Sequence, residues 1–419
     1  MVIPSYWARE RKASHIEGEA IYDHPTPLDS NGTLLRTIES LKILKDKNFQ
    51  LVIIIATTTE DINLEAETKV KNIITPALAN LGINILLFTP SKLKKIYNLL
   101  ISHGKEDYIK LLKLHGYPNI RNLCIFIPHI LESEVALLID DDEVFEDPFF
   151  ISKAREFIGK NIKGKAINGV AGYYTREDGD YHIKKPFKDW MRYWDQFDRM
   201  NEAFDKIIGT KPRLKETPFV FGGNMIIHRN LFTTVPFDPN ITRGEDIDFL
   251  INAKMFGFNF FLDNQLSLKH LPPPKAHPVW LQIREDIKRF IYERAKIKNQ
   301  EELIGVNYVK PEDFDPYPGS FLKDDLEEKI EKSSQLLSRD YLLAGDMESS
   351  KEALNNISIA KTYANLHPNP FKSLVMLQKK WKEFIEFTYK REIRFDIKNI
   401  IEKESEYEIK PAFHNQITS

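Results

Sequence analysis

The chain has one cysteine, Cys124, in 419 residues. That excludes an internal disulfide framework and fits a reducing compartment. Within LCIFI, Cys124 reads as a small buried apolar residue. Long apolar runs are missing as well, and nothing approaches the roughly 18 residues that would span a bilayer. The opening stretch MVIPSYWARERK lacks a basic leader followed by an apolar segment. Together these absences predict a soluble, cytoplasmic protein. Charge of one sign is also lacking: 59 Lys and Arg stand against 61 Asp and Glu, a net −2. No basic footprint for nucleic acid is present, nor one for an anionic membrane surface. There is no internal repeat and no low-complexity tract. What remains is 42% hydrophobic and 29% charged, ample material for a core. The length suggests two or three domains, or one large domain with an appendage.

Apolar runs alternate with helix-period segments through the first half. Val2–Ile3 begins a short strand ending at Pro4. TLLRTIESLKILK (Thr33 to Lys45) repeats apolar residues at helical spacing. LVIIIA (Leu51 to Ala56) has the length and β-branched content of a strand buried on both faces. A helix over Glu65 to Leu81, a strand NILLF (Asn84 to Phe88), a helix over Ile120 to Ile130 and a strand VALLI (Val135 to Ile139) come next along the chain. This rhythm predicts an α/β fold with a parallel sheet covered on both faces, in which ligands bind at the carboxyl ends of the strands. From about Lys160 to Pro218 the chain is irregular and aromatic. Phe219 to Ile227 then resembles a strand interrupted by a glycine pair, Asp246 to Phe256 a helix, and Phe258 to Leu262 a short strand. Beyond the proline run Leu271 to Pro274 the segments are charged and helical. The expected division is therefore 1–274 as an α/β catalytic unit and 275–419 as a mostly helical C-terminal region.

VALLI runs directly into Asp140, Asp141, Asp142 and Glu143. Crowded carboxylates repel one another, and each contact raises a pKa or costs stability. A divalent cation makes such a cluster tolerable, because Mg²⁺ and Mn²⁺ favour oxygen ligands and are held by one or two carboxylates plus substrate phosphates. The spacing Asp140-x-Asp142 lets one acid bind metal while the other reaches a ribose hydroxyl or water. The plainer reading of this spacing alone is a solvated acidic loop.

VALLIDDDEVFEDPFF resembles the D-x-D region of GT-A glycosyltransferases, particularly family-2-like enzymes. Other segments resemble that family in its order: VIPSYW as the first strand and its nucleotide-binding turn, LLRTIESL as the first helix, and GYPNIRNLCI as the segment before the D-x-D strand. FVFGGNMIIHRNLF resembles the segment bearing sugar and acceptor contacts. RGEDIDFLINAKMFGFNFFLDNQLSLKH resembles the Glu-Asp helix and a strand ending in His270. The resemblance covers roughly the first 270 residues. It implies a Rossmann-like GT-A sheet with a helical C-terminal extension, and transfer from a nucleotide-diphosphate sugar (a UDP- or GDP-sugar) to a carbohydrate or small hydroxyl acceptor with Mn²⁺ or Mg²⁺.

It also implies residue roles. Asp142 is the leading metal ligand, Asp140 lies on the ribose or metal, Asp141 lies on the nucleotide side, and His270 completes the coordination. Pro4, Ser5 and Tyr6 belong to the nucleotide turn, and the Arg121 fork suits phosphate. Gly222 and Gly223 let the backbone approach a sugar, and Asn224 offers a donor and an acceptor to its hydroxyls. Asp246, with Glu245 next, stands in the place of the base that activates the acceptor in inverting enzymes. The same GED also reads as a helix N-terminal cap, and Asp248 reads as helix surface. Tyr173, Tyr174, Tyr181, Trp190, Tyr193 and Trp194 form either an acceptor wall or ordinary packing. Two features depart from the family: no acid directly follows the second strand, and the segment Glu10 to Gly32, with His15 and His24, is long enough for a lid or an acceptor element. Inversion is slightly favoured over retention by a synthase of small-acceptor type. A nucleotidyltransferase is disfavoured because no Gly-rich phosphate loop follows the first strand, and a non-catalytic binding protein would have lost these acids. The oligomeric state is open.

Overall fold

The computed structural model describes residues 1–9, 20–78, 81–275 and 277–403. The expected α/β sheet and helical C-terminal region are both present. From one edge the sheet runs Leu214–Glu216, Phe260–His270, Gly169–Thr175, Asn224–His228, Val135–Ile139, Val2–Ala8, Gln50–Thr57 and Asn84–Phe88. Val2–Ala8 and its neighbours on the Gln50–Thr57 side are parallel. Asn224–His228 is antiparallel to both Val135–Ile139 and Gly169–Thr175, so the sheet is mixed rather than wholly parallel.

LVIIIA shows why a continuous apolar run makes a central strand. Leu51, Ile53 and Ile55 pack on one face, whereas Val52, Ile54 and Ala56 pack on the other. The first face is covered by Leu34–Ser40, Asn63–Leu78 and Phe150–Phe157, through residues such as Ile38, Val70 and Ile151. Tyr117–Ile130 covers the second face, and the C-terminal helices pack on the same side. There Phe126 stacks on Phe384 at 5.0 Å, and the Trp381 indole N–H donates to the Phe232 carbonyl at 3.0 Å.

Several elements differ from the sequence expectation. The first strand does not stop at Pro4 but pairs with Gln50–Thr57 through Trp7↔Thr57. On its other side it pairs with the acid-bearing strand only at Val2↔Leu138, which leaves room for a residue with no N–H. Phe219 to Gly223 is not strand, and the ladder starts at Asn224. The strand expected to end at Leu262 continues to His270 after a register shift. The aromatic stretch holds a strand, Gly169–Thr175, and a helix, Gln196–Ile207. Asp248 is not on the surface. It is fully buried and ion-paired with Lys296 of the helix Val279–Lys298. Residues 10–19, including His15 of the expected lid, lie outside the described residues.

Candidate active site

Strand direction gathers the chemistry at one edge of the sheet. Val2–Ala8, Val135–Ile139, Gly169–Thr175 and Phe260–His270 all run the same way, so Tyr6, Asp140, Tyr174 and His270 come to the same end. Asn224–His228 runs oppositely, and its start brings Gly222 there too. A cavity of about 960 Å³ opens at this edge. Tyr6, Arg121, Asp140, Asp141, Asp142, Gly222, Glu245, Asp246 and His270 line it.

Four of the expected contacts fall outside that lining. Pro4 and Ser5 sit inside the first strand rather than in a turn. Ser5 is fully buried, and its hydroxyl donates to Asp141 Oδ2 at 2.6 Å. Asn224 does not offer its amide to the cavity: it is buried, and Nδ2 donates to the carbonyls of Tyr173 and Leu266 at 3.2 and 3.0 Å. This amide holds two strands together. Gly223 faces protein as well, since a Cβ there would lie 2.6 Å from the Asp140 carboxyl. Its missing side chain lets the backbone press against the acids, and its N–H donates to the Tyr174 hydroxyl at 2.7 Å.

Each acid has its own environment. The Arg121 guanidinium is 2% exposed and bridges two of them, with Nη2 2.8 Å from Asp140 and Nε 3.1 Å from Glu245. It thus ties the end of the acid-bearing strand to the start of the helix Glu245–Met255, and its Nη1 has no hydrogen-bond partner among the described residues. Burial pushes the Asp140 carboxyl up despite Arg121, and pushes Asp141 well above the usual range with help from Asp142. Asp142 goes the other way. Burial opposes its charge, but the His270 hydrogen bond and charge outweigh that and hold it below its ordinary value. Correspondingly, burial disfavours the His270 cation, and Asp142 more than offsets this and raises the imidazole. The Nε2–Oδ2 distance is 3.3 Å. Tyr174 stacks on the His270 ring at 4.9 Å.

Across the cavity, Asp246 sits in the first turn of its helix. Oδ1 accepts the Ile247 N–H and Oδ2 the Gly222 N–H, both at 2.9 Å. Burial raises its pKa, with the charge of Arg289 as the main opposing influence. Glu245 is pushed up to about 7 by burial, against the pull of Arg121. The helix begins at Gly244, whose φ of 73° is in the left-handed region, and an added Cβ would overlap the Arg289 guanidinium.

A second set of residues lines this site that the sequence does not single out. Asp23 accepts from Arg243 Nε and Nη2, both at 3.0 Å, and from Lys275 at 3.2 Å. Arg243 Nη1 continues to Asp286 at 2.5 Å, and Arg289 Nη2 donates to the Tyr317 hydroxyl at 2.8 Å. The long helix beyond the proline run therefore reaches the cavity. Its signal in the sequence is indistinguishable from a solvated charged helix, because each partner is distant along the chain.

No group of three or more His, Cys, Asp or Glu side chains is placed to hold a metal among the described residues. Asp142 and His270 are the converging pair, one oxygen and one nitrogen donor. Of the two, the Asp142 carboxylate is the kind of hard oxygen ligand that Mn²⁺ and Mg²⁺ favour, and two side chains alone do not complete a coordination shell. Among the described residues no helix is long and apolar enough to cross a membrane.

No known family model matches the chain, and no curated protein matches it. Among solved structures it is similar to a mannosyltransferase, PcManGT from Pyrobaculum calidifontis in complex with GDP-Man and Mn²⁺, at 11% identity and TM-score 0.43, over 93% of this chain and 87% of that one. It is also similar to S. aureus TarS 1–349 in complex with UDP, at 12% identity and TM-score 0.39, over 88% and 91% of the two chains. A mycobacterial protein matches at 14% identity and TM-score 0.37, over 69% and 72%. At this level of likeness a functional reading rests on the site's own residues.

Proposed function

We propose that this protein is a GT-A glycosyltransferase, moving a sugar from a nucleoside-diphosphate donor to an acceptor hydroxyl. One observation carries the reading. An Asp142–His270 pair stands at the carboxyl end of the sheet, and a half-buried acid, Asp246, faces the same cavity from a helix N-terminus. In this reading residues 1–274 are the catalytic unit, and 275–419 extend it with helices whose Arg289 and Tyr317 reach the site.

Asp142 and His270 would hold a Mn²⁺ or Mg²⁺ ion. That ion supplies charge neutralisation for the departing diphosphate. Arg121 fixes the two walls through Nε and Nη2, and its charge favours a diphosphate in the cavity it lines. Asp246 acts as general base. It takes the acceptor proton as the acceptor oxygen forms a bond to the anomeric carbon and the bond to the nucleoside diphosphate breaks. The two backbone N–H groups on its oxygens orient it, and its raised pKa makes it a stronger base than a solvated aspartate. In-line displacement of this kind inverts the anomeric carbon.

The test is a donor panel of UDP-, GDP- and ADP-sugars with and without Mn²⁺ or Mg²⁺, read by thermal shift and nucleotide release. Metal-dependent stabilisation by one nucleotide, abolished in Asp142→Ala, is expected. Proton NMR of the first product should show inversion. Retained configuration would remove Asp246 as base, and no response to any donor would favour a non-catalytic binding protein.

A further inference from the structure

Resting on that reading, we propose that the acceptor alcohol is carried on an apolar body, an aryl or short alkyl group, rather than on an oligosaccharide. The cavity that Asp246 faces is also lined by Ile183, Met191, Phe197, Met200, Phe204 and Phe221, which make up an apolar chamber wall. Phe197, Met200 and Phe204 recur at helical spacing on Gln196–Ile207 and so share one face. Ile183, Met191, Phe197, Met200 and Phe221 are only half-buried: each packs on the core on one side and lines the chamber on the other. The chamber is continuous with the acids. The Tyr174 ring that stacks on His270 lies 4.7 Å from Phe221, which lies 5.3 Å from Phe204.

Aromatic rings also bind sugar faces, but a sugar needs hydrogen-bond partners around its edge, and stripping hydroxyls of water without them is costly. Most polar groups of this wall are committed to one another, and the exposed Lys185 is the exception. Gln196 accepts from the Trp194 indole at 3.0 Å and donates to Tyr317 at 3.2 Å. The Tyr181 hydroxyl donates to Asp205 at 3.0 Å. Both ring nitrogens of His182 are taken, by Asp180 at 2.7 Å and Asp205 at 2.8 Å. An apolar body gains from such a surface, whereas a second or third sugar ring would lose its hydration there.

Calorimetric titration of the full chain with hexyl β-glucoside, methyl β-glucoside and maltotriose tests the proposal. The hexyl compound should bind at least about tenfold tighter than the methyl one, at about fourfold per methylene that enters the chamber. Met200→Gln, and independently Ile183→Gln, should abolish that preference while leaving the thermal midpoint and nucleotide binding unchanged. Equal affinity for the two glucosides, tighter binding of maltotriose, no binding of either glucoside, or a preference untouched by both variants would each overturn it. Nucleotide titrations on the same preparations separate the two readings. Hexyl glucoside binding lost in Met200→Gln, on a protein that binds no nucleotide, sinks the glycosyltransferase and keeps the chamber. Nucleotide binding with no hexyl preference sinks only the chamber.

Discussion

Lys296 is fully buried, and it is the cation that allows two other buried charges to exist. It forms an ion pair with Asp248 of the helix Glu245–Met255 and lies 3.8 Å from Asp238, and its ammonium also donates to Asn252 Oδ1 at 2.8 Å. All three charged side chains are 0–1% exposed. Lys296→Met keeps the length and apolar stem but leaves two carboxylates in the interior without their cation. Breaking a buried pair from one side costs about 3–5 kcal/mol, a large share of the roughly 5–15 kcal/mol that holds a typical domain folded. Burial already raises Asp248 against the pull of Lys296, so removing the cation raises it further. A carboxyl with a raised folded pKa escapes its penalty by taking a proton. The loss should therefore be largest near pH 7 and shrink as the pH falls towards 5. Equilibrium urea unfolding of the wild type and the variant at both pH values measures this. A loss under about 1 kcal/mol at pH 7 would refute the reasoning, since the pair would then behave like a solvent-screened one. Asp248→Asn combined with Lys296→Met should recover part of the loss, because the neutral amide no longer needs the cation.

Gly244→Ala combines a left-handed φ, worth about 1–2 kcal/mol for an L-residue, with overlap of the Arg289 guanidinium. It should lower stability by at least that amount, and the crystal structure or nucleotide titration should show the Asp246 wall displaced; an unchanged unfolding midpoint would count against the geometry. Asp246→Asn should reduce turnover by about 10²–10⁴-fold with nucleotide affinity unchanged within about twofold, measured by steady-state release and calorimetry; equal losses in both would make Asp246 a donor-binding group. For Glu245, raised to about 7 from 4.5 by burial, the protonated form is the one folding favours. Its stabilising contribution is present below about pH 4.5 and is lost as pH rises through about 7. Relative to Glu245→Gln, the wild type should therefore lose about 1–3 kcal/mol between pH 5 and pH 8, read from urea midpoints; a pH-independent difference would show that Glu245 stays ionised beside Arg121.

The parts legible in the sequence share a physical cause. VALLI and LVIIIA announce central strands because burial on both faces demands uninterrupted apolar side chains, and the abrupt change to Asp140–Asp142 marks where the sheet ends. The Glu245 helix is visible for the same reason, an acidic first turn ahead of an apolar run. Asp263–Asn264–Gln265 has the composition of a turn, which predicts that the strand stops before it. In the structure Arg213 grips Asp263 through two nitrogens at 2.8 and 2.7 Å, so the buried carboxylate is satisfied and the strand runs on to His270. That grip spans 50 residues of chain, and no local pattern encodes it.

Buried polar residues are where local reading fails throughout, because the sequence shows their cost and not the distant partner that offsets it. Asp248 and Asn252 are four residues apart on one helical face, a spacing equally suited to solvent; only Lys296 turns that face inward. Asn224 stands after a glycine pair, a place open to a ligand, yet its amide is consumed by two backbone carbonyls of neighbouring strands. The Arg121 fork suits phosphate, yet two of its three nitrogens brace Asp140 and Glu245, which stand 105 residues apart by their numbers. The same reasoning explains why the helical region reads as an appendage. Its apolar stripes are legible, whereas Arg289, Asp286 and Tyr317 reach the site by pairing with one another and by acting on Asp246, Arg243 and Gln196, all before the proline run. A site assembled by such pairings is braced on the side of the acids, whereas its wall at Met200 and Phe197 is mostly apolar, with the exposed Lys185 also lining the cavity. On the proposed reading, variation in the acceptor is therefore most easily accommodated along that apolar wall, whereas changes among the acids act on groups already tied to one another.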